Sequence, residues 1–573
     1  MAAYLENLRG VNPIVTNLRD IPAFFSRPVP IFQSYKRTSW RPDIIAGLTV
    51  AVVLLPQAIA YALIAELPPE MGLYTAIIGG IIGALWGSSN HLQTGPTNAI
   101  SLLVLSTLLT ISVPGTAQYV ILAGLLAVMV GVLQLIMGLA RLGVLVNFVS
   151  HSVIVGFSAG AGVLIAVRQL RPLLGLDFTS HSFIETVGGA GGELIAGNIH
   201  WPTAALGLGT ILLLVLLKRF RPKLPGPLIG MIVAAAAVAL LGLDQNGVDV
   251  IGELPRGLPP FAKLPLFDLE LIGQLSAGAL AIAAIGLIEA MSIARSISNR
   301  SNQRLDSNQE FVGQGLANIA SGFFSGYAGS GSFTRSAVNY NAGARTPMAS
   351  VLSGLFVLVA MNVLAPFAAY VPRSALAAVL IVIAVGMIDR AEIRRILRGA
   401  PADAVIMIVT FLGTLFLHLE FAVLVGILLS FAFYIMKTSV PQVTPVVPDE
   451  NFKHFNPQNH KPSCLQLANI DISGDLYFGA VSHLEKVISR YSGRHPEQRF
   501  LLLRMHSVNQ CDFSGIHALE SVVRIYRDRG GDVFMVRVRD HIREFMKSTG
   551  FYDYLGADHF LSEDEAVSYL FYR

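Results

Sequence analysis

The chain has 573 residues, of which 53% are hydrophobic and only 14% charged, and its mean hydropathy is +0.59. A soluble globular protein carries about 25% charged residues, so a single water-soluble core is excluded. The net charge of +4 says little about nucleic acid and is better read through its distribution over the loops.

Residues 1–42 form a polar N-terminal segment carrying Arg19, Arg27, Lys36, Arg37 and Arg41. It lacks the apolar stretch that a cleavable signal needs. From residue 43 to 438 apolar runs recur, many near the roughly 20 residues that cross a hydrocarbon core of about 30 Å. Fourteen spans are predicted, at 43–64, 72–86, 97–110, 118–140, 147–167, 200–217, 225–242, 274–294, 309–325, 332–342, 349–367, 374–388, 404–417 and 421–437. Two are atypical. The third, "GPTNAISLLVLSTLL", is short and opens on Gly-Pro, and the tenth, within "GSGSFTRSAVNYN" (Gly329–Asn341), is almost devoid of apolar residues.

Residues 439–462 read as a Pro- and Asn-rich linker. From 463 to 573 the composition turns soluble. "LQLANIDISGDLYFGA", "RFLLLRMHSV" and "DVFMVRV" read as strands, "GIHALESVVRIYRDRGG" and "RDHIREFMKSTG" as helices. Strands alternating with helices predict a small α/β domain. Both cysteines, Cys464 and Cys511, lie there. They give no disulfide framework and fit a reduced, cytosolic setting.

Loop charge fixes the parity of the spans. Basic clusters follow span 6 (Lys218, Arg219, Arg221, Lys223), span 8 (Arg295, Arg300, Arg304) and span 12 (Arg390, Arg394, Arg395, Arg398). The loop after span 7 is acidic (Asp244, Asp249, Glu253, Asp268, Glu270). Only if spans 3 and 10 both cross do all three basic clusters share a side with the basic N-terminus, and that side is cytoplasmic. Both termini and the α/β domain are then cytoplasmic. Spans 3 and 10 hold equivalent places in two sets of seven, and an odd repeat makes the halves inverted. Short, Gly/Pro-interrupted segments at matching places point to a transporter's midplane binding site.

Arg335 is the first candidate. An arginine keeps its proton, and deep in a membrane it is costly unless it meets water, a partner or a ligand. A half-helix starting near Ser332 leaves backbone N–H groups unpaired and partially positive, and hydroxyls on Ser332, Thr334 and Ser336 add donors. That combination is an anion site of the helix-terminus kind. The competing reading pairs Arg335 with a carboxylate or lets it snorkel to an interface. Ser332, Arg335 and Asn339 share one helical face. The partner half-helix is "GPTNAIS", where Pro96 suits a helix start and Thr97, Asn98 and Ala99 offer backbone donors.

Glu289 is the only charge in "LSAGALAIAAIGLIEAMSIA". An acid inside an apolar span is by default functional: a proton carrier, a sodium ligand, or the counter-ion of Arg335. Gln57 and Tyr61, one turn apart beside Pro56, share a helix face and either line a pocket or only glue helices. His91, Arg168 and His418 read as interfacial. In "DFSG", Asp512 or Ser514 caps the following helix, and Ser514 is a candidate phosphorylation switch. No metal-spaced Cys/His set, P-loop or Ser-His-Asp arrangement is present, so an enzyme, a metal centre, a cofactor and ATP-driven transport are not expected.

These stretches resemble the sulfate permease (SulP) family of anion transporters, the bacterial and plant relatives of prestin and pendrin. "LLPQAIAYALIAELPPEMGLYTA" is similar to the family's first-span signature and "QTGPTNAIS" to its third-span motif. "NQEFVGQGLANIASGFFSGYAGSGSFTRSAVNYNAGARTP" is the most specific match, to spans 9 and 10. The C-terminal "DISGDLYFG" and "LLLRMHSVNQCDFSGIHAL" resemble a STAS domain.

The resemblance implies a polytopic α-helical membrane protein of fourteen spans as seven-plus-seven inverted repeats, with core and gate domains and a cytoplasmic STAS domain. It places an anion between spans 3 and 10. The ligands would be Arg335, Thr334, Phe333, Ser332, Thr97, Asn98, Ala99, Gln57 and Tyr61. It implies elevator-like transport by a homodimer in the cell's inner membrane. Sodium-coupled bicarbonate relatives have an aspartate in span 8 with a hydroxyl one turn on, whereas here Glu289 is followed by Ile293. The expectation is therefore proton-coupled uptake of sulfate or a dicarboxylate, with Glu289 carrying the proton. The alternatives are sodium-dependent bicarbonate symport, an uncoupled anion channel or exchanger, and an anion sensor with a STAS output to a cytoplasmic partner.

Overall fold

The computed structural model describes residues 21–143, 150–178, 182–221, 224–252, 255–417, 419–438, 440–448, 455–457, 466–566 and 570. The readings of Arg19, Lys223, Glu253, His418 and Cys464 lie outside these residues. The chain separates into two compact units between Ser430 and Phe431, described in turn.

The apolar runs fold as helices α1 (Arg37–Ile64), α2 (Pro69–Trp86), α3 (Asn98–Leu109), α4 (Ala117–Leu139), α5 (His151–Arg168), α6 (Trp201–Phe220) and α7 (Gly226–Leu241). They continue as α8 (Leu269–Ser301), α9 (Ser307–Phe323), α10 (Phe333–Asn341), α11 (Met348–Ala368), α12 (Arg373–Met387), α13 (Pro401–Phe416) and α14 (Leu419–Thr438). Among the described residues, six helices are long and apolar enough to cross a membrane. A further amphipathic helix, Phe183–Ala196, follows α5, and Arg390–Gly399 precedes α13.

The packing sorts these helices into two groups. In the first, α9 packs on α4 and α2, α11 on α1 and α2, and α8 on α4 and α3; α10 lies against α1 and α8. In the second, α5 packs on α13 and α12, and α6 on α12 and α7. The first group is bound tightly because small residues let helix backbones approach, the usual device where lipid tails give no hydrophobic drive between helices. A Cβ on Gly131 of α4 would stand 2.5 Å from the Gly315 carbonyl oxygen of α9.

Buried polar side chains stitch the same group together, since each unpaired polar group there would cost several kcal/mol. Asn318 of α9 donates to Gln134 Oε1 of α4 at 2.8 Å and accepts from the Gly329 amide at 2.8 Å. Asp43 of α1 accepts from the Arg345 and Thr346 amides at 2.8 and 3.2 Å and from the Thr346 hydroxyl at 2.6 Å. The first turns of α1 are therefore tied to the turn that follows α10.

The second unit carries a six-stranded sheet in the order β4-β3-β5-β6-β7-β8. Its strands are β3 (Gln442–Pro448), β4 (Phe455–Pro457), β5 (Leu467–Ser473), β6 (Phe500–Ser507), β7 (Val533–Val536) and β8 (Phe560–Leu561). β5 to β8 run parallel, with α15 (Val481–Arg494) and α16 (Phe513–Arg527) as crossovers, and α17 (Asp540–Ser548) follows β7. The expected linker is corrected here: residues 442–448 and 455–457 are strands. The prolines concealed this. Residues 442–445 pair only with β5 and residues 446–448 only with β4, so each part of β3 has one open side where a missing proline N–H costs nothing.

Candidate functional site

Two short strands organise the centre of the first unit. β1 (Thr94–Gly95) immediately precedes α3, and β2 (Ser330–Gly331) precedes α10. They pair antiparallel, Thr94 opposite Gly331 and Gly95 opposite Ser330. The pairing turns two sequence-distant N-termini towards each other. At about 1.5 Å per residue, the 12 residues of α3 and the 9 of α10 give rods of roughly 18 and 14 Å. Neither spans a hydrocarbon core of about 30 Å alone, and together they match it.

Around this junction the expected residues divide. The amides of Phe333 and Thr334, at the first turn of α10, have no acceptor among the described residues, and both side chains are exposed. The Ser332 amide is engaged, donating to the Gln93 carbonyl at 2.9 Å. On α3, Thr97 Oγ1 caps the Ile100 amide at 3.4 Å, and Asn98 Oδ1 accepts from the Ala99 amide at 2.9 Å. The donors expected from Ala99 and Ser332 are thus occupied by the chain itself.

Arg335 is wholly buried. Its NH1 donates to the Pro96 carbonyl at 2.9 Å and lies 3.5 Å from Gln57 Oε1, while Nε and NH2 have no partner among the described residues. A Cβ on Gly95 would sit 3.3 Å from NH2, which is why a glycine occupies that strand. The guanidinium therefore stands behind the junction, tying α10 to the entry of α3. Glu289 of α8 accepts from the Thr97 hydroxyl at 3.4 Å. No ion pair joins Glu289 to Arg335 among the described residues. Tyr61 is buried beside Gln57 on α1, and its hydroxyl has no partner among the described residues.

Two expectations are corrected. Ser336 does not open onto the junction: it is wholly buried, and its hydroxyl oxygen accepts from the Gln93 amide at 2.9 Å. It lies on the buried side of α10 with Arg335 and Asn339, where Asn339 donates to the His91 carbonyl at 3.1 Å. His91 is not interfacial but buried, bonded to the Ala344 carbonyl at 3.1 Å. Its position near a span end concealed a chain that folds back into the core before β1. Arg168 is half-buried at the end of α5 and faces two cavities.

Sequence reasoning missed Glu310, which is buried on α9. Its Oε2 accepts from the Ser88 and Ser89 amides at 2.8 and 3.0 Å, and its Oε1 from Gln314 at 3.2 Å. Gln314 also donates to Thr94 Oγ1 at 2.8 Å, so Glu310 fixes the loop that delivers β1. The signal was an acid in span 9, obscured by its neighbours Asn308, Gln309 and Gln314.

In the second unit, Asp512 caps α16, accepting from Gly515 at 2.8 Å, and also receives the Phe478 amide at 3.0 Å. Ser514 is half-buried just inside that helix. Burial and the neighbouring Asp512 carboxylate push the Cys511 thiol up to about 12.

Fold and junction together define a multi-pass membrane transporter built on two facing half-helices, followed by a STAS domain. Residues 40–410 match the sulfate permease family and residues 461–566 the STAS domain. The chain belongs to the sulfate permease family. It is similar to YvdB of Bacillus subtilis, with 31% identity over 94% of this chain and 99% of that one. It is 32% identical to sulfate transporter 2.1 of Arabidopsis thaliana, over 95% of this chain and 84% of that protein. Its fold is like that of murine Slc26a9, an anion transporter solved inward-facing (TM-score 0.85, 20% identity, 94% and 92% of the two chains). It is also like the transmembrane domain of the cyanobacterial bicarbonate transporter BicA (TM-score 0.59, 26% identity, 69% and 98%). These relatives are transporters, not enzymes.

Proposed function

We propose that this protein is a secondary anion transporter that takes up sulfate or a related dianion with protons, the N-terminus and STAS domain being cytoplasmic. The observation that carries the reading is the junction of α3 and α10. Two positive helix ends and a buried arginine converge, and among the described residues no carboxylate forms an ion pair with the arginine. Such a site favours anions through backbone donors and helix dipoles. The anion sits between Phe333, Thr334 and the N-terminus of α3, with Gln57 and Tyr61 as one wall. Arg335 supplies charge from behind. The choice of sulfate follows the relatives, several of which are named sulfate transporters.

The proton carrier in this reading is Glu289, supported by its contact with Thr97 at the mouth of α3. Division of the helices into two packing groups supports an elevator in which the group holding both half-helices slides past the other. A bicarbonate reading has one observation in its favour, the likeness to the BicA transmembrane domain. Both readings are tested by uptake of radiolabelled sulfate and bicarbonate into proteoliposomes under separate proton and sodium gradients. Sulfate uptake driven by inward acid and indifferent to sodium is expected. Sodium-driven bicarbonate uptake without sulfate uptake would replace this reading with the alternative.

A further inference from the structure

One side chain of the candidate anion site reaches directly into the second helix group. Asn98 is the first residue of α3. Its Oδ1 accepts from the Ala99 amide at 2.9 Å, and its Nδ2 lies 2.7 Å from the sulfur of Met387. Met387 is the last residue of α12, in the other packing group. One amide side chain thus touches a helix-terminal donor with one end and the opposing group with the other.

The geometry makes these two contacts interdependent. An amide group is planar, and its oxygen and nitrogen move as a unit. An anion seated at the N-terminus of α3 competes for the Ala99 N–H, a donor whose charge-assisted bond to an oxyanion is roughly twice as strong as that to a neutral amide oxygen. Displacing Oδ1 swings Nδ2 away from Met387. Methionine is a weak acceptor but an adaptable packing partner, so the contact is easily made and easily broken, as a gate contact must be. The ligand's differential affinity for the released state is what shifts the conformational balance.

We propose that Asn98 couples anion binding to release of the two helix groups, its side chain exchanging the Ala99 amide and Met387 for solvent when the anion docks. This rests on the functional reading above. Asn98 is then an internal competitor for the site rather than a ligand, and Met387 is its gate-side partner.

The test is sulfate uptake by the full-length protein in proteoliposomes, resolved into KM and maximal rate, for wild type, Asn98→Ala, Met387→Leu and the double variant. Removing the competitor lowers KM about fivefold, the factor that one net hydrogen bond represents. Met387→Leu keeps the volume but removes the acceptor of Nδ2, so it alters the maximal rate and, by loosening Oδ1, lowers KM less than Asn98→Ala does. In the double variant the rate effects are non-additive, as expected of residues in contact. A raised KM in Asn98→Ala would make Asn98 a direct ligand and overturn the proposal. So would a Met387→Leu protein with wild-type rate, or strictly additive effects. Absence of uptake in the wild type would instead count against the functional reading.

Discussion

Arg335 offers the sharpest test of how the site attracts an anion. All of its guanidinium is buried, one nitrogen is committed to the Pro96 carbonyl at 2.9 Å, and two nitrogens meet no partner among the described residues. If the side chain acts by its field, what matters is the charge and not the fork. With an effective dielectric of about 20, a unit charge about 6 Å from a unit charge contributes about 2.8 kcal/mol. At about 1.4 kcal/mol per tenfold, that is roughly 100-fold in affinity per unit of anion charge. Arg335→Met should therefore lose at least two orders of magnitude in sulfate affinity. Arg335→Lys, which keeps the charge on a shorter reach to Pro96, should retain most of it. Binding measured by scintillation proximity on purified protein, with intact folding checked by gel filtration and thermal melting, reads both variants. A folded lysine variant as impaired as the methionine variant would refute the field argument and show that the planar fork itself holds the anion.

Glu289→Gln is expected to preserve binding but abolish acid stimulation of uptake; retained stimulation in a pH-step assay would mean that the proton rides elsewhere. Glu310→Ala removes the acceptor of two buried loop amides and of Gln314. At about 1–3 kcal/mol per orphaned group, it should lower the melting temperature sharply, whereas Glu310→Gln should lower it less. The Cys511 thiol, pushed up to about 12 by burial and by Asp512, stays protonated far above neutrality. Thiolate rather than thiol reacts, so with Cys464→Ser in place maleimide labelling at pH 7.5 should be slow when folded and fast in denaturant. Fast labelling of the folded protein would contradict the burial. The sign for stability follows. A thiol favoured neutral in the fold contributes stability that is complete below its unfolded value, near 8.5. That contribution is lost progressively as pH rises from there towards the folded value of about 12, because the unfolded thiol ionises first while the folded one still holds its proton.

Much of the architecture is written in the order and charge of the chain. Span 10 illustrates why. Hydropathy misses a nine-residue helix reading "FTRSAVNYN", yet the distribution of basic loops predicts a membrane segment there, because charge sidedness is a property of the whole chain. The helix found at 333–341 and its counterpart at 98–109 lie within a residue or two of the expected bounds. Glu310, Asp43 and His91 were not legible in the same way. Each is a polar residue whose role depends on which distant backbone amide or carbonyl it meets, and nothing local encodes that. Ser336 failed for a related reason: helical spacing places it beside Arg335, but only packing tells the buried side from the open one.

The sequence by itself determined the membrane-spanning class, the α/β domain behind it, the two interrupted segments and the cationic residue between them. These follow from composition, periodicity and charge count, which are local or additive. Tertiary structure alone decided that β1 and β2 pair, that Arg335 faces the Pro96 carbonyl rather than Glu289, and that Asn98 reaches across to Met387. Those facts depend on contacts between residues more than two hundred positions apart, and on a packing in which one backbone, satisfying its own donors, leaves only a few for a ligand.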